Sequence, residues 1–456
     1  MIYKIIMIFA VLIPIEKVQA SNEIDINTTH SNSSHSQFRG SVGFTSSSFL
    51  FESKIRGNSS TTFQSVLEDG WDSHYFRAEG DIRFYTFVQD RPSIGFESKE
   101  LYLQTNPELL GASQITVGRK LFEWSKLDRN WTMMSLWSPR FTWDELHPEL
   151  IGMTGLFYSL STSNFELIAF GSPIAIPERG TLTEEKNNQI VSSNPFWKPL
   201  PTSTSVLGKP TALHYSLITP PMKEILIRPN FALHGKYSFD SGFWISANGG
   251  VLPVNMVQVS AEPFLTASVD GDALVNIHPQ FPMRNIYTAE AGFQNHVFGL
   301  WTSLSYERPF HFTTDPFWVN PTVTPSSILS AGTDVKLSRK FSMNGAALMI
   351  QEQATQVNSN VLSQINVPLP TRFPLKQGLK VGGNWKFSDM TESNLTWIRD
   401  LINQNHFVSL DVEHSMRKSK VSVGAGADVI LAESSKGWVG QYYGDDRLRG
   451  WLKYAF

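Results

Sequence analysis

The chain has 456 residues, of which 41% are hydrophobic, 12% aromatic and 17% charged, and its formal net charge is −3. The charged fraction lies below the roughly 25% of an ordinary soluble protein, and the near-zero net charge gives no electrostatic reason to expect a nucleic-acid partner. The chain contains no cysteine, which excludes disulfides, thiol catalysis, thiolate metal sites and a lipidated N-terminal cysteine.

The first twenty residues have the pattern of a secretory signal peptide. Lys4 precedes an apolar stretch from Ile5 to Ile15, and Val18-Gln19-Ala20 has small residues at the spacing of a cleavage site. A membrane anchor helix is the alternative, but this stretch is too short to cross roughly 30 Å of hydrocarbon. We therefore expect a signal peptide at 1–20, cleaved after Ala20, and then a flexible polar N-terminus at 21–36, rich in Ser, Asn and Thr.

From residue 37 onward, apolar and polar residues alternate with the period of a β-strand. In residues 74–87 one phase carries Phe76, Ile82 and Phe84, whereas the other carries charged side chains. Similar stretches lie at 230–239, 285–294, 297–307, 328–337, 375–387, 406–413 and 421–431. No later segment offers about twenty consecutive apolar residues, so the chain can cross a membrane only as a closed barrel.

The links between predicted strands alternate in length. Short links are expected at Pro253 to Asn255, at Asn295-His296 and at Ser388 to Met390, among others. Long links are expected near 125–153, 171–209, 262–284, 308–327 and 351–374. Our tally is twenty strands, with a weak one at 60–67. Short turns on one side and long loops on the other are typical of an outer-membrane barrel.

Two soluble β architectures compete with this interpretation. A sandwich or propeller has many strands that are apolar on both faces, whereas here the second face carries charges such as Asp334, Lys380 and Asp411. A β-helix has a repeat of roughly twenty residues, which the sequence lacks. We therefore predict an all-β fold: a transmembrane antiparallel β-barrel of 16–20 strands, best 18–20, spanning residues 37–456.

The last nine residues, LRGWLKYAF, resemble the C-terminal signature of Gram-negative outer-membrane β-barrel proteins. The matching positions are the terminal Phe456, the aromatic Tyr454, and Leu452 and Leu448 in the same phase. The resemblance implies a porin-like outer-membrane protein, recognition by the barrel-assembly machinery, and closure of the last strand onto the first. The Arg449, Trp451 and Lys453 phase should then face the lumen.

Charged residues in the inward phase are the pore-lining candidates, since arginine in the lipid would cost roughly 2–4 kcal/mol near the midplane. Two roles stay open for them: selection of solutes by fixed charge, or pairing with charges on neighbouring strands. The candidates are Arg77, Glu79, Asp81, Arg83, Arg119 and Lys120.

Residues 119–143 combine four tryptophans with five basic residues. Such a segment can bind sugars or anions. The simpler interpretation puts Trp124 in the interfacial aromatic belt and packs the remaining residues against the rim. This loop and the proline-containing loop 171–209 are both long enough to fold inward and narrow the pore.

The predicted function is passive or facilitated diffusion of small hydrophilic solutes, without catalysis, catalytic residues, cofactor or metal. A loop-closed barrel with a binding or structural role at the surface is the alternative, and a barrel lipase or protease is a weaker one. Expected partners are outer-membrane lipid, lipopolysaccharide, the barrel-assembly machinery and the solutes. A homotrimer is an open alternative to a monomer.

Overall fold

The structure is a computed structural model that describes residues 37–50, 61–88, 93–178, 180, 183–192, 194, 196–197, 199–206, 209–265, 272–310, 318, 324–353, 372–416 and 420–456. The expected signal peptide and polar N-terminus lie outside the described residues. Within those residues, no helix is long and apolar enough to cross a membrane.

The described strands, in chain order, are β1 (Gln37–Phe49), β2 (Thr61–Asp72), β3 (Phe76–Val88), β4 (Ser93–Thr105), β5 (Ser113–Lys120), β6 (Arg140–Phe141), β7 (Glu149–Leu150), β8 (Met153–Ser161), β9 (Phe165–Ser172), β10 (Glu184–Lys186), β11 (Gln189–Val191), β12 (Ser203–Val206), β13 (Lys209–Leu217), β14 (Asn230–Ser238), β15 (Phe243–Pro253), β16 (Gln258–Leu265), β17 (Ala273–Gln280), β18 (Met283–Gln294), β19 (Phe298–Pro309), β20 (Ser326–Lys336), β21 (Phe341–Glu352), β22 (Gln377–Ser388), β23 (Thr391–Asp400), β24 (His406–Met416), β25 (Val421–Leu431) and β26 (Arg447–Ala455). The described helices are α1 (Pro107–Leu110), α2 (Lys126–Asn130), α3 (Met222–Leu226), α4 (Gly437–Gly440) and a 3₁₀ turn at Thr132–Met134.

Eighteen of these strands form one closed antiparallel barrel. Neighbours along the chain pair with each other around the wall, and β26 returns to pair with β1, from Ser41 opposite Ala455 to Phe49 opposite Arg447. Closure leaves no unpaired sheet edge, which is the condition for β-structure in a membrane. The predicted fold class and the closure of the last strand onto the first are confirmed.

Burial along the barrel strands alternates with period two. In β19, Trp301, Ser303 and Ser305 are buried toward the lumen, whereas Leu300 and Leu304 are exposed on the outside. The C-terminal signature follows the same rule, because Leu448, Leu452, Tyr454 and Phe456 are all exposed on the outer face. An outer wall lined with exposed apolar side chains is stable only against lipid.

Aromatic side chains on the inner wall lie against glycines of the neighbouring strand. Trp244 is opposite Gly292 and Trp301 is opposite Gly332. A Cβ atom on Gly332 would lie 2.5 Å from the Trp301 ring, and one on Gly292 would lie 2.6 Å from the Trp244 ring. These glycines are therefore required by the close approach of a ring, which explains why glycine recurs inside these strands.

The two ends of the barrel differ. Both the start of β1 and the end of β26 lie at one end, which we call the turn end, together with links such as 73–75, 239–242 and 389–390. The other end, the loop end, carries the links 121–152, 173–229, 254–282, 310–325 and 353–376. The predicted alternation of short turns and long loops is confirmed for these links.

The tally of twenty strands is wrong, because eighteen of the described strands form the wall. Strands β12, β13, β17 and β16 form a separate four-stranded sheet from the links 173–229 and 254–282, with β13 and β17 parallel. Its own core includes Leu213, Tyr215 and Val275. Pro253 to Asn255 is consequently the start of a long link and not a short turn.

Candidate functional site

Residues 121–152, which we call the inserted loop, connect β5 to β8 and fold into the barrel. The Ser125 hydroxyl accepts a hydrogen bond from the backbone N–H of Asp128 at 2.9 Å and so begins α2. The Asp128 carboxylate in turn accepts the backbone N–H groups of Leu136 at 2.8 Å and Ser138 at 3.0 Å. Burial raises the pKa of Asp128, although these hydrogen bonds act to lower it. The loop therefore has a rigid internal structure of its own.

One side of the inserted loop is bonded to lumen-facing side chains of β15, β18, β20 and β22. Trp124 and Trp137 stack on each other with ring centroids 5.6 Å apart, and both are almost completely buried. The loop-to-wall hydrogen bonds join Trp124 to Asn248, Lys126 to Glu290, Trp137 to Thr288, Trp131 to Ser330 and Asn130 to Lys380. The expectation that Trp124 lies in an interfacial belt is wrong, because its ring is buried inside the barrel.

The far side of the inserted loop is held to the opposite wall. Asp144 pairs with Arg447 of β26 at 2.6 Å, and His147 contacts Asp428 of β25 at 2.9 Å. Asp428 is fully buried and also pairs with Arg447 at 2.6 Å. Although burial opposes it, the Arg447 charge lowers the pKa of Asp144. Further along, Glu149 pairs with Arg83 of β3. The inserted loop thus spans the lumen from wall to wall.

A buried charge cluster anchors the same loop near the loop end. Arg284 of β18 pairs with Glu307 of β19 and donates to the carbonyl oxygen of Leu136. Arg372, from the link 353–376, pairs with the same Glu307 oxygen at 2.9 Å. All three charged side chains are almost fully buried. Removing one member would leave an uncompensated buried charge, so the cluster fixes two links to the wall.

The structure places the predicted pore-lining residues on β3 and β5, and all of them except Lys120 are in ion pairs. Arg77 pairs with Glu79, and Arg83 pairs with Asp81 at 3.0 Å. Side chains of β4 also contact these residues. Glu79 accepts a hydrogen bond from the Tyr102 hydroxyl, and Arg119 pairs with Glu97. Lys120 donates a hydrogen bond to Gln104, and its Nζ lies 4.4 Å from the centroid of the Tyr102 ring. Among these, the ion pair between neighbouring strands is Arg119 of β5 with Glu97 of β4, and the pairs of Arg77 and Arg83 with Glu79 and Asp81 lie within β3. A role in solute selection stays a prediction.

Toward the turn end, below the inserted loop, charged side chains remain accessible to water. Lys453 and Glu68 pair at 2.7 Å with 44% and 41% of their side chains exposed. Asp411 pairs with Arg449 at 2.8 Å, and Trp451 donates to Glu413 at 2.9 Å. We call this region the lower lumen. The expected lumen-facing phase of Arg449, Trp451 and Lys453 agrees with these contacts.

The link 173–229 touches the inserted loop at two points. Arg140 pairs with Glu178 of the link 173–229 at 2.6 Å, and the Asn194 side chain donates to the carbonyl oxygen of Trp143 at 3.0 Å. Glu145 is buried near Arg140 and Glu178. Burial raises the pKa of Glu145 to about 7, although the Arg140 charge opposes this shift. Of the two loops expected to narrow the pore, the inserted loop lies inside the described barrel, and residues 173–206 contact it from the loop end.

Several residues that hold this site were not recognised in the sequence. Arg284, Glu307 and Asp428 are buried charges with partners on other strands or links, whereas Asp128 is a buried charge whose hydrogen bonds stay within the inserted loop. Glu307 ends the alternating stretch at 297–307, so the sequence could predict that its side chain faces the lumen. Its partners could not be predicted, because they depend on the strand register. Glu68 directly follows the weak strand predicted at 60–67, and it lies on β2.

No protein-family model and no curated protein matches the chain. One similar solved structure is OccAB3 of Acinetobacter baumannii, with 7% sequence identity and a TM-score of 0.46, and the match covers 92% of this chain and 99% of that one. A second is OpdK of Pseudomonas aeruginosa, solved with vanillate, with 7% identity and a TM-score of 0.47, and a third is a BenF-like porin from Pseudomonas fluorescens Pf-5, with 7% identity and a TM-score of 0.49. Each of these two matches covers 92% of this chain and 98% of the other chain. These likenesses are weak, and the barrel described above is defined by its own strand pairing.

Proposed function

We propose that the protein is a porin-like channel of a bacterial outer membrane that lets small hydrophilic solutes pass without chemistry. The observation that supports this proposal is the closed barrel of eighteen described strands, apolar outside and lined inside by polar and charged side chains. A barrel of this size is too wide for wall side chains alone to fill, so it encloses water or folded segments. Here it encloses both the inserted loop and the lower lumen.

In this channel the inserted loop is the constriction. Solute from the loop end must pass the loop where it is bonded to the walls, and then enters the lower lumen. Selection would follow from the size of that passage and from fixed charge near it. We propose that the charged groups of β3 and β5, from Arg77 to Lys120, lie on this route and act on charged solutes there.

A planar-bilayer measurement tests the channel. Purified, refolded protein should give steady open steps, and a variant with residues 127–146 replaced by a short Gly-Ser linker should give larger ones. The control removes the β10–β11 hairpin, residues 184–191, which is a two-stranded sheet outside the barrel wall, and this removal should leave the step size unchanged. If neither the wild type nor the loop-shortened variant conducts, the channel proposal is wrong.

The second candidate is a loop-closed barrel with a binding or structural role. It is favoured by one observation, which is that the inserted loop is bonded to both walls through Trp137 on one side and Asp144 on the other. In that case the wild type would be silent and the loop-shortened variant would conduct. The bilayer measurement therefore separates the two candidates directly.

Assembly details belong to the same proposal. We expect cleavage after Ala20, a polar segment at 21–36, and insertion by the barrel-assembly machinery through the signature that ends at Phe456. N-terminal sequencing of the membrane-extracted protein checks the cleavage site. The mass of the native protein in mild detergent distinguishes a monomer from a homotrimer.

A further inference from the structure

One tryptophan of the wall presents a ring face to the lower lumen. Trp451 lies in the inward phase of β26, opposite Gly424 of β25, and a Cβ atom on that glycine would overlap the indole ring. The ring therefore lies flat over the strand, with one face packed against it. Trp244 and Trp301 also cover glycines, but they are buried, whereas Trp451 is partly exposed. The second face of the Trp451 ring is consequently turned toward the lumen.

The ring of Trp451 is fixed in this position. Its indole N–H donates to a carboxylate oxygen of Glu413 on β24 at 2.9 Å, so the side chain reaches from β26 across β25 to β24. A side chain that is already held loses little freedom when a ligand binds. On the other side of the ring the wall carries small side chains, because Thr45 of β1 pairs with Trp451 and Gly43 lies two positions before it. The ring therefore borders a shallow recess.

Two ion pairs flank the ring along the strand. Arg449 and Lys453 share the inward phase with Trp451, so they lie about 7 Å from it on either side. Arg449 pairs with Asp411 at 2.8 Å, and Lys453 pairs with Glu68 at 2.7 Å. Each cation next to the ring thus has an acid beside it. The pairs offer hydrogen-bond donors and acceptors without a large excess of either charge.

This arrangement fits an uncharged molecule with an apolar face and a polar edge. The face of an aromatic ring carries negative potential and attracts C–H groups such as those on one face of a sugar ring. The hydroxyl groups around a sugar need both donors and acceptors, which the two ion pairs supply. The Glu413 carboxylate has further acceptor capacity beside its bond to the indole. A purely apolar molecule would leave these polar groups without partners.

We propose that the lower lumen binds a neutral sugar, with one sugar ring stacked on Trp451 and its hydroxyl groups bonded to Glu413 and to the two flanking ion pairs. This inference rests on the proposed function and names the class of solute for that channel. A sugar that has passed the inserted loop meets this site on its way to the turn end. An organic cation is the other kind of ligand that an aromatic face beside a carboxylate can take, and the experiment separates the two.

The test is saturation-transfer NMR on refolded protein, in a detergent whose head group is neither a sugar nor choline, titrated with maltose and separately with choline. Trp451→Leu should weaken maltose binding at least about fivefold, because the stacking face is lost. The matched control is Trp385→Leu, since the Trp385 ring is 52% exposed on the outer face of β22; this variant should bind maltose like the wild type. Glu413→Gln keeps an acceptor for the indole N–H and should retain maltose affinity within about threefold.

Several outcomes would overturn the proposal. These are undiminished maltose binding by Trp451→Leu, an equal loss in Trp385→Leu, and a wild type that binds choline but not maltose and loses choline in Glu413→Gln. Heat-dependent migration on gels shows whether each barrel is folded, and Trp451→Phe, which keeps an aromatic face, should retain part of the affinity. Binding is measured without a membrane. A silent bilayer would therefore refute the channel alone, and steady conduction without maltose binding would refute this site alone.

Discussion

Replacement of Asp128 by alanine is the sharpest test of how the inserted loop keeps its shape. The carboxylate accepts two buried backbone N–H groups, from Leu136 at 2.8 Å and Ser138 at 3.0 Å. Each buried donor left without a partner costs about 1–3 kcal/mol. The variant should therefore lose about 2–6 kcal/mol of loop stability. Asp128→Asn keeps one acceptor oxygen and should lose about half as much.

The assay is tryptic cleavage of the folded barrel after Lys126 or Arg129, both within the loop. When opening is fast compared with cleavage, the rate follows the population of the open loop. A loss of 2 kcal/mol or more should then raise the rate at least about thirtyfold. Bilayer recordings of the same variant should show noisier or larger steps.

The control is Glu123→Ala, which removes partly exposed ion pairs with Lys126 and Arg129 in the same loop. Such pairs contribute about 0.2–1 kcal/mol, so cleavage should rise no more than about fivefold. The reasoning is refuted if Asp128→Ala is cleaved as slowly as the Glu123 variant while its barrel remains folded.

Two further predictions concern charge. Burial raises the pKa of Glu145 to about 7 from 4.5, so the seated loop binds this proton more tightly than a released loop does. The attachment of the inserted loop to the barrel wall should be strongest below pH 4.5, and its free energy should weaken by roughly 3 kcal/mol as the pH rises to 7. Channel noise should accordingly increase between pH 5 and pH 8, and Glu145→Gln should abolish that change; an unchanged pH response in the variant would contradict the assignment. In the lower lumen, Lys453→Glu should shift the reversal potential measured in a salt gradient toward the value of a cation-selective channel. Lys340→Glu, in a turn-end link, is the control and should cause no shift. Equal shifts in the two variants would exclude a local effect of the charge at Lys453.

The wall of the barrel could be predicted from sequence because two solvents impose its pattern. Lipid outside and water inside require apolar and polar side chains to alternate, as in Ser303, Leu304 and Ser305 of β19. The same period does not by itself identify a strand of the wall. Strand β13 belongs to a sheet with one buried face, so its sequence also alternates, and nothing local distinguishes a lipid-facing residue from one facing a soluble core.

The site was harder to predict, because its contacts join distant parts of the chain. The tryptophan-rich loop was recognised as a candidate constriction from its composition and length. The position of this loop against the wall could not be derived, since the contacts of Trp131 with Ser330 and of Trp137 with Thr288 depend on the strand register. Arg372 lies in a long link, where neither period nor spacing indicates a partner.

The far anchors of the inserted loop also have a consequence for the order of folding. Asp144 and Arg447 lie 303 positions apart in the chain, and His147 and Asp428 lie 281 apart. Contacts of such separation form late, because the entropy of closing the intervening chain must first be overcome. Seating of the loop against both walls therefore requires β25 and β26 to be in place, and a chain truncated before β25 would carry the loop without its far anchors.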